Sequence, residues 1–473
     1  MLRRILIIFG YLVAGTVVIG GTLTLVAYGQ GYSYDFSHHR FVHRGLVLLG
    51  STPTGAYITR DGVYTKHRTN HRDSYNPGTY LFKVDKPGFT SWTKSLTVAA
   101  GEVVDARYII LLPLKPVTTT VATTTTDFDT PTTSRDHNHV AYSTPPTATE
   151  GATVSVQDLP GGKPTKRFSL PAATATVPAE TILGLQWSGD ASHLLIISQD
   201  AAGRVYRVVA ANGSGAVDLT SQYKLDFNGL QSLQFAPSDW HDMFWIAADG
   251  SLRRLDLNAQ TVSNVLASQT TQFSFAGDRV LYIDATTLGH SLMTLQVHNP
   301  TQVSRLIESL PVSSTYSIDY ANYQAQDELA VIPSSTREAI VYTGIFGSSP
   351  VSTVVARQVD SALFSPNGQF VALYSSSRLV TYDFQLSTPT ALVNYTSPAL
   401  NPTLTNLTWF DNYHLLLHLG GQLVFSDFDG TNRVVLAPTV DSSLSFASND
   451  QRSVYNYQAG TKTGQRLVNI IVH

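Results

Sequence analysis

The side chains able to do chemistry in this 473-residue chain are numerous but scattered. Histidines group at His38, His39 and His43, at His67 and His71, and at His137 and His139. Imidazole is a common metal ligand. No carboxylate pattern accompanies these groups, however, and "TKHRTNHRDS" reads as a loop, not as a helix that would put His67 and His71 on one face. They read as solvated loop histidines and, at His137-Asn138-His139, as a turn. Asp190, Asp239, Asp278, Asp284 and Asp411 invite an acid–base reading, which needs carboxylates brought together. Most of them recur in one polar turn between two strands, where Asp serves by hydrogen-bonding the backbone. Asp127 and Asp129 lack the further oxygen ligands a calcium site needs.

Other catalytic signatures are missing. The serines show no Gly-x-Ser-x-Gly elbow. Neither a Walker loop nor Gly-x-Gly-x-x-Gly is present. With no cysteine, the chain has no disulfide, thiolate zinc site or cysteine nucleophile. The pair Arg253-Arg254 is too small for a phosphate site and reads as a solvated strand. No catalytic, cofactor or metal residue is assigned, and the expectation is a protein that is not an enzyme.

Composition explains what must position the remaining residues. Charged residues make up 14% of the chain, against roughly 25% in an average soluble domain. Thr, Ser, Gly, Tyr and Phe fill the difference, which suits half-buried pleated sheets. The net charge of −3 and the lack of a basic stripe argue against a nucleic-acid partner. Arg3 and Arg4 precede an uncharged apolar run from Ile5 to Tyr28. That run is long enough to span a bilayer and longer than the core of a cleaved signal. Residues 1–28 are therefore expected to be a short cytoplasmic tail and a single-pass signal anchor. Arg3 and Arg4 stay inside by the positive-inside rule, and the bulk of the chain lies outside the cytoplasm.

Residues 29–44 form a juxtamembrane stretch whose Tyr32, Tyr34, Phe36 and Phe41 alternate with polar residues, as in a first short strand. Residues 45–114 read as a small antiparallel β-sandwich of five or six strands. "GAYITRDG" alternates and ends at the turn Asp61-Gly62. "NPGTYLFKVDKPG" opens on the turn Pro77-Gly78 and puts Tyr80, Phe82 and Val84 on one face. Residues 115–135 are a Thr-rich linker, with Thr118–Thr126 able to serve as an edge strand. From residue 136 to 473 a phrase recurs: an aromatic-centred strand, a polar turn, a second apolar strand. Its markers are Trp187, Phe235, Phe275, Tyr320, Phe364, Trp409 and Phe446. Their spacing of roughly 37–48 residues fits four-stranded propeller blades. A degenerate copy at 133–144 makes eight candidate repeats, hence seven or eight blades. The last repeat lacks a fourth strand, so a strand from the linker is expected to complete it and cover the exposed edge.

Two stretches resemble known families. Ser51, Pro53, Thr54, Gly55, Ala56, Asp61, Gly62, Pro77, Gly78, Tyr80, Gly88, Trp92 and Gly101-Glu102 follow the order and spacing of a PEGA domain. Thr54 stands where the name-giving glutamate would be. The Thr-Pro common after the Asp-Gly turn is also missing, with Thr69-Asn70 as its nearest relic. "FSPNGQFVALYSSSRLVTYDF" (364–384) is similar to TolB-like and WD40-like propellers. The whole organisation resembles bacterial anchor–PEGA–propeller envelope proteins. That resemblance implies scaffolding, or binding of an envelope protein or polysaccharide. The alternatives are a glycan- or peptide-active envelope enzyme and a surface-layer or adhesion component.

Overall fold

The computed structural model describes residues 2–29, 32–35, 40–124, 128–159, 161, 166–174, 176–223, 230, 232–286, 289–298, 305–388, 391–440, 444–460 and 464–473. The chain forms two compact units, Met1–Pro116 with Val472–His473, and Val117–Ile471. It is mainly β.

The first unit begins with helix α1 (Leu2–Gly29), with Arg3 and Arg4 in its first turn. Its segment Phe9–Val26 has a mean hydropathy of 1.8 and is not buried against protein, so α1 is long and apolar enough to cross a membrane. Two of its hydroxyls are satisfied within the helix: Thr16 and Thr24 donate to the Leu12 and Gly20 carbonyls at 2.9 and 2.8 Å. A hairpin of β1 (Tyr32–Asp35) and β2 (Arg40–His43) follows, with Tyr34 opposite Phe41. Phe36, His38 and His39 lie outside the described residues.

A two-sheet module comes next. Its strands are β3 (Gly45–Thr52), β4 (Tyr57–Arg60), β5 (Val63–Arg68), β6 (His71–Tyr75), β7 (Gly78–Asp85), β8 (Trp92–Val98) and β9 (Val103–Ile110). One sheet has the order β6-β3-β9 and the other β5-β4-β7-β8. Val47, Leu49, Ile58, Phe82, Val84, Trp92 and Ile109 fill the core between them. Two expectations need correction. The sandwich is not wholly antiparallel, because β3 and β9 pair in parallel. They open and close the module, and the chain between them passes through the other sheet before returning, so both enter from the same end. The return is tight: a Cβ on Gly45 would meet the Ala99 carbonyl oxygen at 2.4 Å. The stretch around His67 and His71 is also not a loop. It supplies β5 and β6, polar edge strands of two different sheets, which raises the strand count to seven.

The second unit contains eight four-stranded sheets among the described residues. The innermost strand of each is Asp129–Thr133, Thr181–Trp187, Ser232–Ala236, Thr270–Ala276, Tyr316–Tyr323, Ser361–Phe364, Leu404–Trp409 and Phe446–Ala447, for blades 1 to 8. All seven marker aromatics lie on these strands. They act as inter-blade core: the Trp187 and Trp409 indole N–H groups donate to the Thr132 and Leu363 carbonyls of the preceding blade. Apolar seams join neighbouring blades, and one of them holds Val140 and Tyr142 of blade 1 against Tyr455 and Tyr457 of blade 8. The ring is thus an eight-bladed β-propeller. Blade 8 is completed by Thr118–Thr123, which pairs antiparallel with Gln465–Ile471. The propeller unit therefore begins inside the stretch read as linker.

Candidate functional site

The recurring polar turn resolves most of the aspartates. In blade 2 the Asp190 carboxylate accepts from the Ser188 hydroxyl at 2.6 Å, the Ser192 backbone N–H at 3.1 Å and the Ser192 hydroxyl at 2.7 Å. Asp136 in blade 1 and Asp450 in blade 8 accept from Ser134 and Ser448 in the same way, both at 2.6 Å. Asn367 takes the place in blade 6, with the Ser365 hydroxyl at 2.9 Å. Burial pushes the Asp190 carboxyl up, but these donors outweigh it and hold the group below its ordinary range. Asp239 accepts from the His241 backbone N–H at 2.9 Å, and Asp411 from those of Tyr413 and His414 at 2.7 and 2.8 Å. Asp278 lies between Ala276 and Arg279, and Asp284 in the following strand. These carboxylates are spread over several blades.

The histidines are separated too. The His67 and His71 rings stack 4.0 Å apart. His139 lies 2.9 Å from Asp158, and the His137 ring stands 5.6 Å from that of Phe446. Among the described residues no three His, Asp or Glu side chains are grouped to hold a metal ion. Asp127 lies outside those residues, and Asp129 begins the inner strand of blade 1. Arg254 departs from its reading as solvated: it is half-buried and pairs with Asp242 at 2.6 Å.

In the small module the motif residues are backbone devices. Gly55 has φ +78° and Ala56 is buried, while Thr54 is exposed. The Thr69 hydroxyl oxygen accepts from the Ala56 N–H at 3.0 Å, and the Gly55 N–H donates to the Thr69 carbonyl at 2.8 Å. Asp61 and Gly62 turn with φ of 48° and 81°, and the Asp61 carboxylate accepts from the Leu81 N–H at 2.9 Å. After the Pro77-Gly78 turn, the Tyr80 hydroxyl donates to the Asn76 carbonyl at 2.9 Å. Gly88 has φ +84° and its carbonyl accepts from the Leu114 N–H at 3.0 Å. Trp92 is buried against Tyr108.

Sequence reasoning missed the seam between blades 5 and 6. There the inner strands are stitched by side chains: the Asp319 carboxylate accepts from the Phe364 N–H at 2.6 Å, and the Ser317 hydroxyl oxygen from the Ala362 N–H at 3.1 Å. Burial raises the Asp319 carboxyl to about 6 despite that bond. Further out along the same seam opens a cavity of ≈ 340 Å³, walled by Tyr323, Gln326 and Thr343 of blade 5 and by Tyr382, Phe384 and Ser387 of blade 6. That volume lies in the range of small-ligand pockets. Glu328 forms part of its floor and is only 2% exposed. Its Oε2 has no hydrogen-bond partner, and the nearby Thr343 side chain lowers the carboxyl only in part. Burial pushes the group up to about 7, with the neighbouring Asp327 adding to the rise. The signal was present in "DELAVI": period two places Glu328 on the face of the seam residues Ala330 and Ile332.

Comparison with known proteins gives three kinds of result. No curated protein matches the chain. Solved structures with a similar course include the β-propeller domain of Cps50 (Swd1) from Myceliophteria thermophila, at 14% identity and TM-score 0.41, covering 76% of this chain and 100% of that one. Oligogalacturonate lyase from Vibrio parahaemolyticus matches at 10% identity and TM-score 0.40, covering 74% and 99%. Porphyromonas gingivalis dipeptidyl peptidase 4 matches at 13% identity and TM-score 0.48, covering 72% and 57%. At these scores the similarities say nothing about ligand or chemistry, and the eight-bladed ring stands on its own sheets. Residues 44–110 match the family model of the PEGA domain, so the module of β3 to β9 is a PEGA domain.

Proposed function

We propose that this protein is a membrane-anchored, non-catalytic binding module of the bacterial cell envelope. In this reading α1 crosses the membrane with Arg3 and Arg4 on the cytoplasmic side. The PEGA domain and the propeller lie outside, where the propeller offers a binding surface to an envelope protein or polysaccharide. The observation that carries the proposal is the covalent order of the parts: an apolar helix unburied by protein, a PEGA domain, then a propeller closed by its own N-terminal strand. An unburied apolar segment of that length is stable in lipid, and basic residues before it favour a cytoplasmic N-terminus. The test is protease added to intact cells. It should digest the propeller, and full protection until the cells are lysed would overturn the exterior location.

The enzyme reading is favoured by one observation, the raised carboxyl of Glu328 in a cavity. Such a group suits a general acid. A glycosidase would need a second carboxyl at a set distance, about 5 Å for a retaining enzyme. Hydrolysis of envelope glycans or peptides that disappears in Glu328→Gln would establish it over the binding reading.

A further inference from the structure

We propose that the cavity between blades 5 and 6 binds a ligand through a primary alkylammonium group, with the Glu328 carboxylate as counter-charge and the Tyr323, Tyr382 and Phe384 rings around the alkyl stem. The inference rests on reading the propeller as a binding module, and not on which side of the membrane it occupies.

Three features lead to it. The first is an uncompensated acid. Glu328 is almost fully buried, its Oε2 has no hydrogen-bond partner, and among the described residues lining the cavity none is basic. A buried carboxyl in such a place is stabilised by a cation brought from outside, whereas an anionic ligand would meet only repulsion. The second is the aromatic wall. The Tyr382 and Phe384 rings meet edge to face at 4.9 Å, and Tyr323 lines the cavity from the turn of blade 5. Ring faces attract ammonium groups and pack well against methylene chains. The third is size, since ≈ 340 Å³ accepts an alkylamine or a lysine side chain and excludes a folded domain.

The geometry also predicts how binding responds to pH. The titratable groups facing Glu328 are Asp327 beside it, Tyr323 in the cavity wall and Tyr382 from blade 6, followed in sequence by Asp383. Asp327 already accepts from the Tyr320 hydroxyl at 2.6 Å and from the Asn322 amide at 3.0 Å. Burial raises the Asp383 carboxyl and the Tyr382 hydroxyl. Burial sets the Glu328 carboxyl at about 7. An alkylammonium keeps its charge across this range and requires the ionised carboxylate. Its affinity therefore rises as pH increases through 7 and falls below it.

The experiment is isothermal titration calorimetry of the full-length protein in detergent micelles with n-butylammonium chloride. n-Butanol and methyl glucoside serve as neutral probes. Butylammonium should bind, and should weaken about tenfold or more between pH 8 and pH 5.5. It should be lost in Glu328→Gln. Leu392→Arg alters an exposed residue of the cavity wall and keeps the test independent of Glu328 folding; it should abolish binding by repulsion while leaving the melting temperature unchanged. Tighter binding of an N-acetyl-lysine amide than of butylammonium would identify a lysine side chain as the source; the reverse order would identify a free amine. Butanol or methyl glucoside binding as well as butylammonium would overturn the proposal, as would unchanged butylammonium affinity in either variant. None of these outcomes bears on topology, which the protease experiment decides separately.

Discussion

The Oγ atoms of Ser51 and Thr69 lie 2.6 Å apart, joining the start of the PEGA signature to the residue that follows β5 through side chains. The proton bookkeeping is complete. Ser51 donates to the Pro53 carbonyl at 2.8 Å, Thr69 donates to Ser51, and the Thr69 oxygen accepts from the Ala56 N–H. Thr69, read from the sequence as a relic of a missing Thr-Pro, is thus the strap that holds Pro53-Thr54-Gly55-Ala56 in place.

Thr69→Val should therefore destabilise the PEGA domain by about 1–3 kcal/mol, because it leaves the buried Ala56 N–H unpaired in a near-isosteric site. Thr54→Glu should change stability by less than about 0.5 kcal/mol, as expected of an exposed position. Its backbone carbonyl already accepts from Lys86 Nζ at 2.7 Å, a bond the substitution keeps. Denaturant titration of the two variants side by side checks both values. A large loss in Thr54→Glu would mean that Thr54 itself has a structural role here.

Closure of the ring gives a second prediction. Ala122 of the closing strand is buried in the seam between blades 8 and 1, beside Phe128, Tyr142 and Tyr457. Ala122→Asp puts an unpaired charge into that apolar seam and should detach the strand. Hydrogen exchange should accelerate in Thr118–Thr123 and Gln465–Ile471, with blades 3 to 5 keeping their protection. Uniform acceleration in all blades would show that closure is not a local latch.

The polar turns give a third. Hydrogen bonds hold the Asp190 carboxyl below its ordinary value of 3.8 against the opposing effect of burial. A depressed carboxyl contributes stability that is present above 3.8 and is lost as pH falls through its folded value. Asp190→Ala should thus cost about 1–2 kcal/mol at pH 7. The gap from wild type should shrink as pH falls from 5 towards 2. A pH-independent gap in melting temperature would assign the loss to packing instead.

How much of this was readable in advance follows from where the information sits. Trp187 or Phe364 marks a blade because one strand, one turn and a second strand are contiguous in sequence. Blade 8 announced its need for a partner, and the Thr-rich stretch supplied a strand of the right character. The parallel pairing of β3 with β9 left no local trace, since it depends on how the intervening chain crosses between sheets. His67 and His71 looked like loop residues because polar edge strands lack an apolar face. The cavity is assembled from two successive repeats. Period two makes Glu328 conspicuous among Ala330 and Ile332, but nothing in its own strand reveals Tyr382 and Phe384 across the seam.

Glu328 supplies the last prediction, which concerns stability and not binding. Burial moves its carboxyl from 4.5 up to about 7. A raised carboxyl costs nothing below 4.5, where it is protonated in both folded and unfolded chains. The cost grows as pH rises and levels off above about 7, once the folded form is also ionised. Glu328→Gln keeps the shape and removes the charge. It should leave stability near wild type at pH 4.5 and raise it at pH 8, by at most about 3 kcal/mol for a shift of this size. Calorimetric melting of both proteins at the two pH values checks the sign. An equal effect at both would mean that Glu328 is not strained by its burial. A loss at pH 8 alone would mean that its carboxylate is already compensated in the folded chain.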